Sequence, residues 1–127
     1  MAMTDYLENK VLDHIFNNTS YTSPTATYIG LLTAAPTDST SGTEMTNTGY
    51  SRQSISVGTS SAGTVTSDTA ISWTNSSGGD WDTARALGIY DASTGGNLLF
   101  YKLISGRNVK DGETLTIASG DLTVNLD

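Results

Sequence analysis

ARALGIYDASTGGNLLFYKLI, residues Ala84 to Ile104, decides the fold. From Ala84 to Asp91 the side chains alternate, with Arg85, Leu87 and Ile89 on one face and Ala86, Gly88 and Tyr90 on the other. Period-two alternation is the signature of a strand, because successive side chains point to opposite faces of a sheet. Asp91 to Gly96 supplies turn chemistry, and Asn97 to Ile104 returns as a second strand. That return carries Leu98, Leu99, Phe100, Tyr101 and Leu103, apolar on both faces, which predicts a central or helix-covered strand.

The same period recurs on either side of this hairpin. Ala26 to Thr33 places Ile29 and Leu31 opposite Tyr28, Gly30 and Leu32. Tyr50 to Val57, Thr64 to Ser67, Ala70 to Thr74, Thr114 to Ala118 and Leu122 to Leu126 complete the set. Turn residues interrupt the strands about every eight to twelve residues, the spacing of an antiparallel sandwich or barrel. The expected fold is therefore all-β: an antiparallel β-sandwich or barrel of seven or eight short strands with one N-terminal α-helix. Residues 4–17 carry the helix. Leu7, Val11, Leu12, Ile15 and Phe16 lie on one broad face, and Asp5 with Glu8 forms a capping-box pattern. A helix this short is marginal alone and must dock on its own sheet or on a neighbouring subunit.

The chain of 127 residues suits one domain, residues 1–127 with the β-sandwich over 26–127. Residues 34–49 form a loop longer than a passive connection needs, which points to a binding arm or mobile flap. No internal repeat, heptad run or membrane-length apolar segment appears.

Charge and composition remove whole classes of function. The net charge is −7 and the six cations are scattered, so nucleic acid and anionic membrane are not expected partners. With no cysteine there is no disulfide, thiolate metal site or thiol nucleophile. His14, the single histidine, sits near the helix C-terminus, where a partial positive charge is favourable, with no nucleophile beside it in sequence. Asp80 and Asp82 flank Trp81 and could be a glycosidase-like pair, but they read better as loop acids at a strand entry. Asp91 to Gly96 has one carboxylate where a calcium loop uses several, and Asn18 and Asn75 head chance glycosylation patterns. No catalytic residue, metal ligand or cofactor site is expected, and the chain does not read as an enzyme. Trp73 and Trp81 are candidate aromatic contacts for a surface glycan, although aromatics at strand positions are more often core or interface anchors.

Several stretches together are familiar. They are Thr4-Asp5-Tyr6-Leu7-Glu8-Asn9-Lys10 with Leu12-Asp13-His14, then Tyr21-Thr22, Pro24, Tyr28, Gly30-Leu31, Thr33 and Pro36. Gly42 and Glu44 precede Tyr50, Arg52 and Gln53; Asp91-Ala92 precedes Gly95-Gly96-Asn97-Leu98-Leu99-Phe100; Gly120-Asp121-Leu122 and Leu126-Asp127 close the pattern. In order and spacing this resembles a family of small tailed-bacteriophage virion proteins, often labelled phage tail fibre proteins. The resemblance implies a structural protein of the virion, assembled in the host bacterial cytoplasm.

A long fibre needs a repetitive shaft, which this chain lacks. The expected function is thus a capsid decoration (cement) protein that stabilises the assembled shell. The alternative is a tail-fibre or baseplate subunit involved in carbohydrate receptor binding. Expected partners are other virion proteins, the major capsid protein or tail proteins, and further copies of the chain in a dimer or trimer. Leu7, Val11, Leu12, Ile15 and Phe16 on the helix, with Pro36, Glu44 and Tyr50, are the candidate interface residues.

Overall fold

The computed structural model describes residues 1–126; Asp127, the last residue of the expected β region, lies outside them. Ten strands and one helix follow in the order β1 (Ala2–Met3), α1 (Asp5–Phe16), β2 (Thr27–Ala34), β3 (Thr43–Glu44), β4 (Gln53–Ile55), β5 (Thr64–Thr66), β6 (Ile71–Thr74), β7 (Thr83–Tyr90), β8 (Leu98–Asn108), β9 (Thr114–Ile117) and β10 (Thr123–Asn125). Every pairing is antiparallel. The main sheet runs β1-β8-β7-β2, and the far edge of β2 is shared by β3 and β4. Two ribbons, β6–β9 and β5–β10, complete sandwich-like layers, and among the described residues no barrel closes.

Register explains the layers. Ile29 pairs with Ile89 and Leu31 with Leu87, so these four side chains share one face. Against it pack Ile71 and Trp73 of β6, together with Trp81, Met45, Val109 and Leu122. Both indoles are enclosed, Trp73 at 1% and Trp81 at 2% exposure. Trp81 donates its ring N–H to the Thr48 carbonyl at 2.9 Å and meets Tyr50 edge-on with centroids 5.9 Å apart. Among the described residues the Trp73 ring N–H has no partner.

On the opposite face Gly30 pairs with Gly88, between Tyr28–Tyr90 and Leu32–Ala86. A Cβ on Gly88 would lie 2.8 Å from Leu98 Cδ1 and 2.9 Å from Leu32 Cδ1, and one on Gly30 would lie 2.7 Å from the Tyr50 hydroxyl. Only glycine lets these neighbours close over the sheet.

Differences from the sequence reading have local causes. Strands β1 and β3, two residues each, are too short to carry a period and were not expected. The expected strand over 50–57 contracts to Gln53–Ile55, because Tyr50 turns into the core and Arg52 turns to Glu44. Strand β8 runs on to Asn108: a bulge between Ala84 and Ala86 keeps Thr83 opposite Asn108 and Ala84 opposite Arg107. The loop over 34–49 is not a free flap. Pro36 and Met45 are buried, Met45 donates its N–H to Leu31, and Tyr101 donates its hydroxyl to Asp38.

Candidate functional site

Helix α1 is capped by Thr4, one residue before the expected Asp5. Its hydroxyl accepts from the Leu7 N–H at 3.5 Å and donates to the Leu98 carbonyl at 2.7 Å, while its own N–H reaches the Leu99 carbonyl. The cap therefore ties the helix start to β8. Beyond the first turn the helix leaves the body: Leu7 is buried and Val11 half-buried, but Leu12, Ile15 and Phe16 are 52%, 64% and 76% exposed. His14 accepts the Tyr21 N–H on Nδ1 at 3.2 Å, so the returning chain is held to the helix.

A polar seam closes the edge of the main sheet. Tyr50 fills the gap between β3 and β4, its hydroxyl accepting from the Leu31 N–H at 2.9 Å and donating to Glu44 at 2.8 Å. Arg52 grips both Glu44 oxygens, at 2.9 Å from Nε and 2.8 Å from Nη2, in the bidentate geometry that makes such pairs strong. Its Nη1 donates to the Ala92 and Gly95 carbonyls, and the guanidinium lies 3.5 Å over the Tyr90 ring. The Arg52 side chain is only 6% exposed. Burial and the nearby Glu44 charge push the Tyr90 phenol up to about 12, and burial with the Glu44 bond raises Tyr50 further. The seam pins the 91–97 turn to β3 and β4. That turn is closed by Asp91, which accepts from the backbone and side chain of Asn97, as expected of a hairpin turn.

Two clefts flank these features. One, of about 350 Å³, opens between the main sheet and the β5–β10 ribbon. Ile89 and Phe100 line it from the sheet, Val65 and Val124 from the ribbon, and Val57 and Leu126 stand at its lip, 42% and 53% exposed. The other, of about 370 Å³, lies at the start of α1 among Asp5, Tyr6, Asp38, Ser39 and Asn97. Asn97 donates to the Tyr6 hydroxyl there at 3.2 Å.

Of the expected contact residues, Leu7, Pro36, Glu44 and Tyr50 are engaged within the chain, because the fold uses them for the helix anchor, the loop and the seam. Leu12, Ile15 and Phe16 are left facing outward. Trp73 and Trp81 offer no ring to a sugar, since the core encloses both faces. Asp80 accepts the Asp111 N–H and Asp82 is exposed, with Trp81 buried between them. Asn75 is wholly buried and braces its own loop through the Gly79 and Val109 carbonyls. The sequence reading missed the lip and lining of the apolar cleft; the alternating Leu122, Val124 and Leu126 were the available signal.

No curated protein matches the chain. A family described as Podophage GP4 fiber I protein gp80 matches it over residues 2–125. A fibre-protein family implies a component of the virion, and it favours the tail-fibre alternative over the capsid-cement expectation. Spanning nearly every described residue, from β1 through β10, the match makes this chain a member of the podophage GP4 fiber I protein gp80 family and a structural protein of the phage particle.

Proposed function

We propose that the chain is a non-enzymatic subunit on the tail side of the particle, a fibre component that docks to neighbouring virion proteins through the tip of α1. The observation that carries this reading is the outward-facing Leu12, Ile15 and Phe16 on a chain of net charge −7. Exposed apolar clusters rimmed by polar residues mark interaction sites, and they are a solubility cost unless a partner covers them. His14 is bonded to the Tyr21 backbone and lines neither cleft, and among the described residues no three His, Asp or Glu side chains are grouped to hold a metal. No receptor contact forms part of the reading, because the indoles that could stack on sugar are enclosed.

Immunogold labelling of intact particles with antibody to this chain tests the assignment. Label confined to the tail side, at a copy number far below that of the major capsid protein, is the expected result. Even labelling of the shell in hundreds of copies would overturn it and restore the cement role.

A further inference from the structure

Strand β8 is the longest in the protein, and only part of it is covered. Strand β1 pairs with it at Phe100 and Tyr101 alone. From Lys102 to Asn108 it has β7 on one side and, among the described residues, no backbone partner on the other. Every residue of that stretch except Ile104 is exposed, Leu103 at 59%. A row of free N–H and C=O groups beside an exposed leucine is a template for one more strand. Of the devices that blunt such an edge, β8 has a bulge opposite Arg85 and charge, and the charge is of one sign.

That sign selects the partner. The six cations are spread along the sequence, but β7 and β8 hold three of them, Arg85, Lys102 and Arg107, and none of the thirteen acids. Arg85 lies against β8: a Cβ on Gly106 would stand 3.9 Å from its Nη1. One acid is paired with this group from the next loop, Glu113, 3.9 Å from Arg107. Both side chains are close to half exposed, where such a pair is weak. Two such edges paired with each other would bring cation against cation with no acid on either strand, so a second copy is turned away. An extended segment carrying carboxylates meets the opposite sign.

We propose that the free edge of β8, residues 102–108, accepts an extended acidic segment of another virion protein as an added strand. Main-chain hydrogen bonds supply the affinity, Leu103 an apolar contact, and Lys102, Arg107 and Arg85 the choice of partner. The edge uses none of the residues at the tip of α1, so this is a second docking surface beyond the one proposed above.

The probe is the end-blocked heptapeptide Thr-Glu-Val-Thr-Val-Glu-Thr, with its Lys-for-Glu counterpart as control. Amide NMR of the full chain, with hydrogen exchange, reads where it binds. The acidic peptide should shift and protect amides within residues 102–108, more weakly as salt is raised, and the lysine peptide should not. Replacing both Lys102→Glu and Arg107→Glu should weaken the acidic peptide on the order of 10-fold and admit the lysine peptide instead. Both positions are exposed, and near-ultraviolet circular dichroism checks that Trp73 and Trp81 stay packed in the variant. An acidic peptide N-methylated at every residue keeps its carboxylates but has no backbone donor, and should not bind. Absence of binding by the acidic peptide, equal binding by the lysine or N-methylated peptide, or protection of these amides by self-association alone would overturn the proposal. Tail labelling of a chain that ignores the peptide removes this edge and leaves the fibre assignment; shell labelling of a chain that takes the peptide does the reverse.

Discussion

The Arg52 seam and the tip of α1 use their composition in opposite ways. The seam encloses a guanidinium, a carboxylate and two phenols, and the guanidinium, carboxylate and Tyr50 phenol are bonded within the chain. The tip carries Leu12, Ile15 and Phe16 and leaves all three in solvent. Apolar character alone therefore does not say what is inside. Geometry does: the seam lies where three strands and a turn converge, and the tip lies beyond the reach of any second layer.

This contrast can be broken most severely at Arg52. Arg52→Ala leaves Glu44 half-buried without its cation and frees two carbonyls, and should cost about 3–5 kcal/mol in urea unfolding. Adding Glu44→Gln to an Arg52→Met variant should recover much of that loss, since a removed pair costs less than a broken one. Gly88→Ala comes next. Its methyl group meets Leu98, Leu32 and Tyr90, and overpacking of this kind costs about 1–3 kcal/mol in the same measurement.

Alkaline pH acts on the seam more gently. With the Tyr90 phenol raised from 10.0 to about 12, the folded chain keeps a proton that the unfolded chain gives up. Stability is then complete below pH 10 and falls as pH rises towards 12, by on the order of 1 kcal/mol at pH 11 from this group. Tyr50 adds to the loss in the same direction. Urea midpoints at a series of alkaline pH values, with phenolate absorbance followed in parallel, would reveal the late-ionising tyrosines. A flat profile would contradict the seam's burial. The smallest effect belongs to the tip: Phe16→Ser should change the unfolding free energy by less than about 0.5 kcal/mol, because nothing in its own chain packs on it. A large loss there would mean that the helix face belongs to the core.

The strands around Ile29–Leu31 and Leu87–Ile89 were legible because large aliphatic side chains alternate there with glycine, alanine and tyrosine, a period that survives although both faces are buried. The helix was legible too, although its cap sits on Thr4 because that hydroxyl also reaches β8, a long-range contact that no local pattern encodes. The seam was hidden for the same reason. Glu44 and Arg52 are visible as charges, but their pairing needs Tyr90 from a strand far along the chain. Trp73 and Trp81 were ambiguous between core and contact, since an indole at a strand position reads alike in both. The apolar cleft was the least legible, because it lies between two layers whose separation only the folded chain sets.

Residues Ala2 and Met3 find their partners in Tyr101 and Phe100, and the neighbouring pair β2–β7 also spans a long stretch of chain. Apart from the β7–β8 hairpin and the short β2–β3 return, the pairings in the main sheet join distant stretches of chain. Closing such long loops before any contact rewards them is slow, so refolding belongs to the millisecond-to-second range typical of high contact order. Strand β1 waits for β8 to pair with it, and until β8 arrives helix α1 has no anchor.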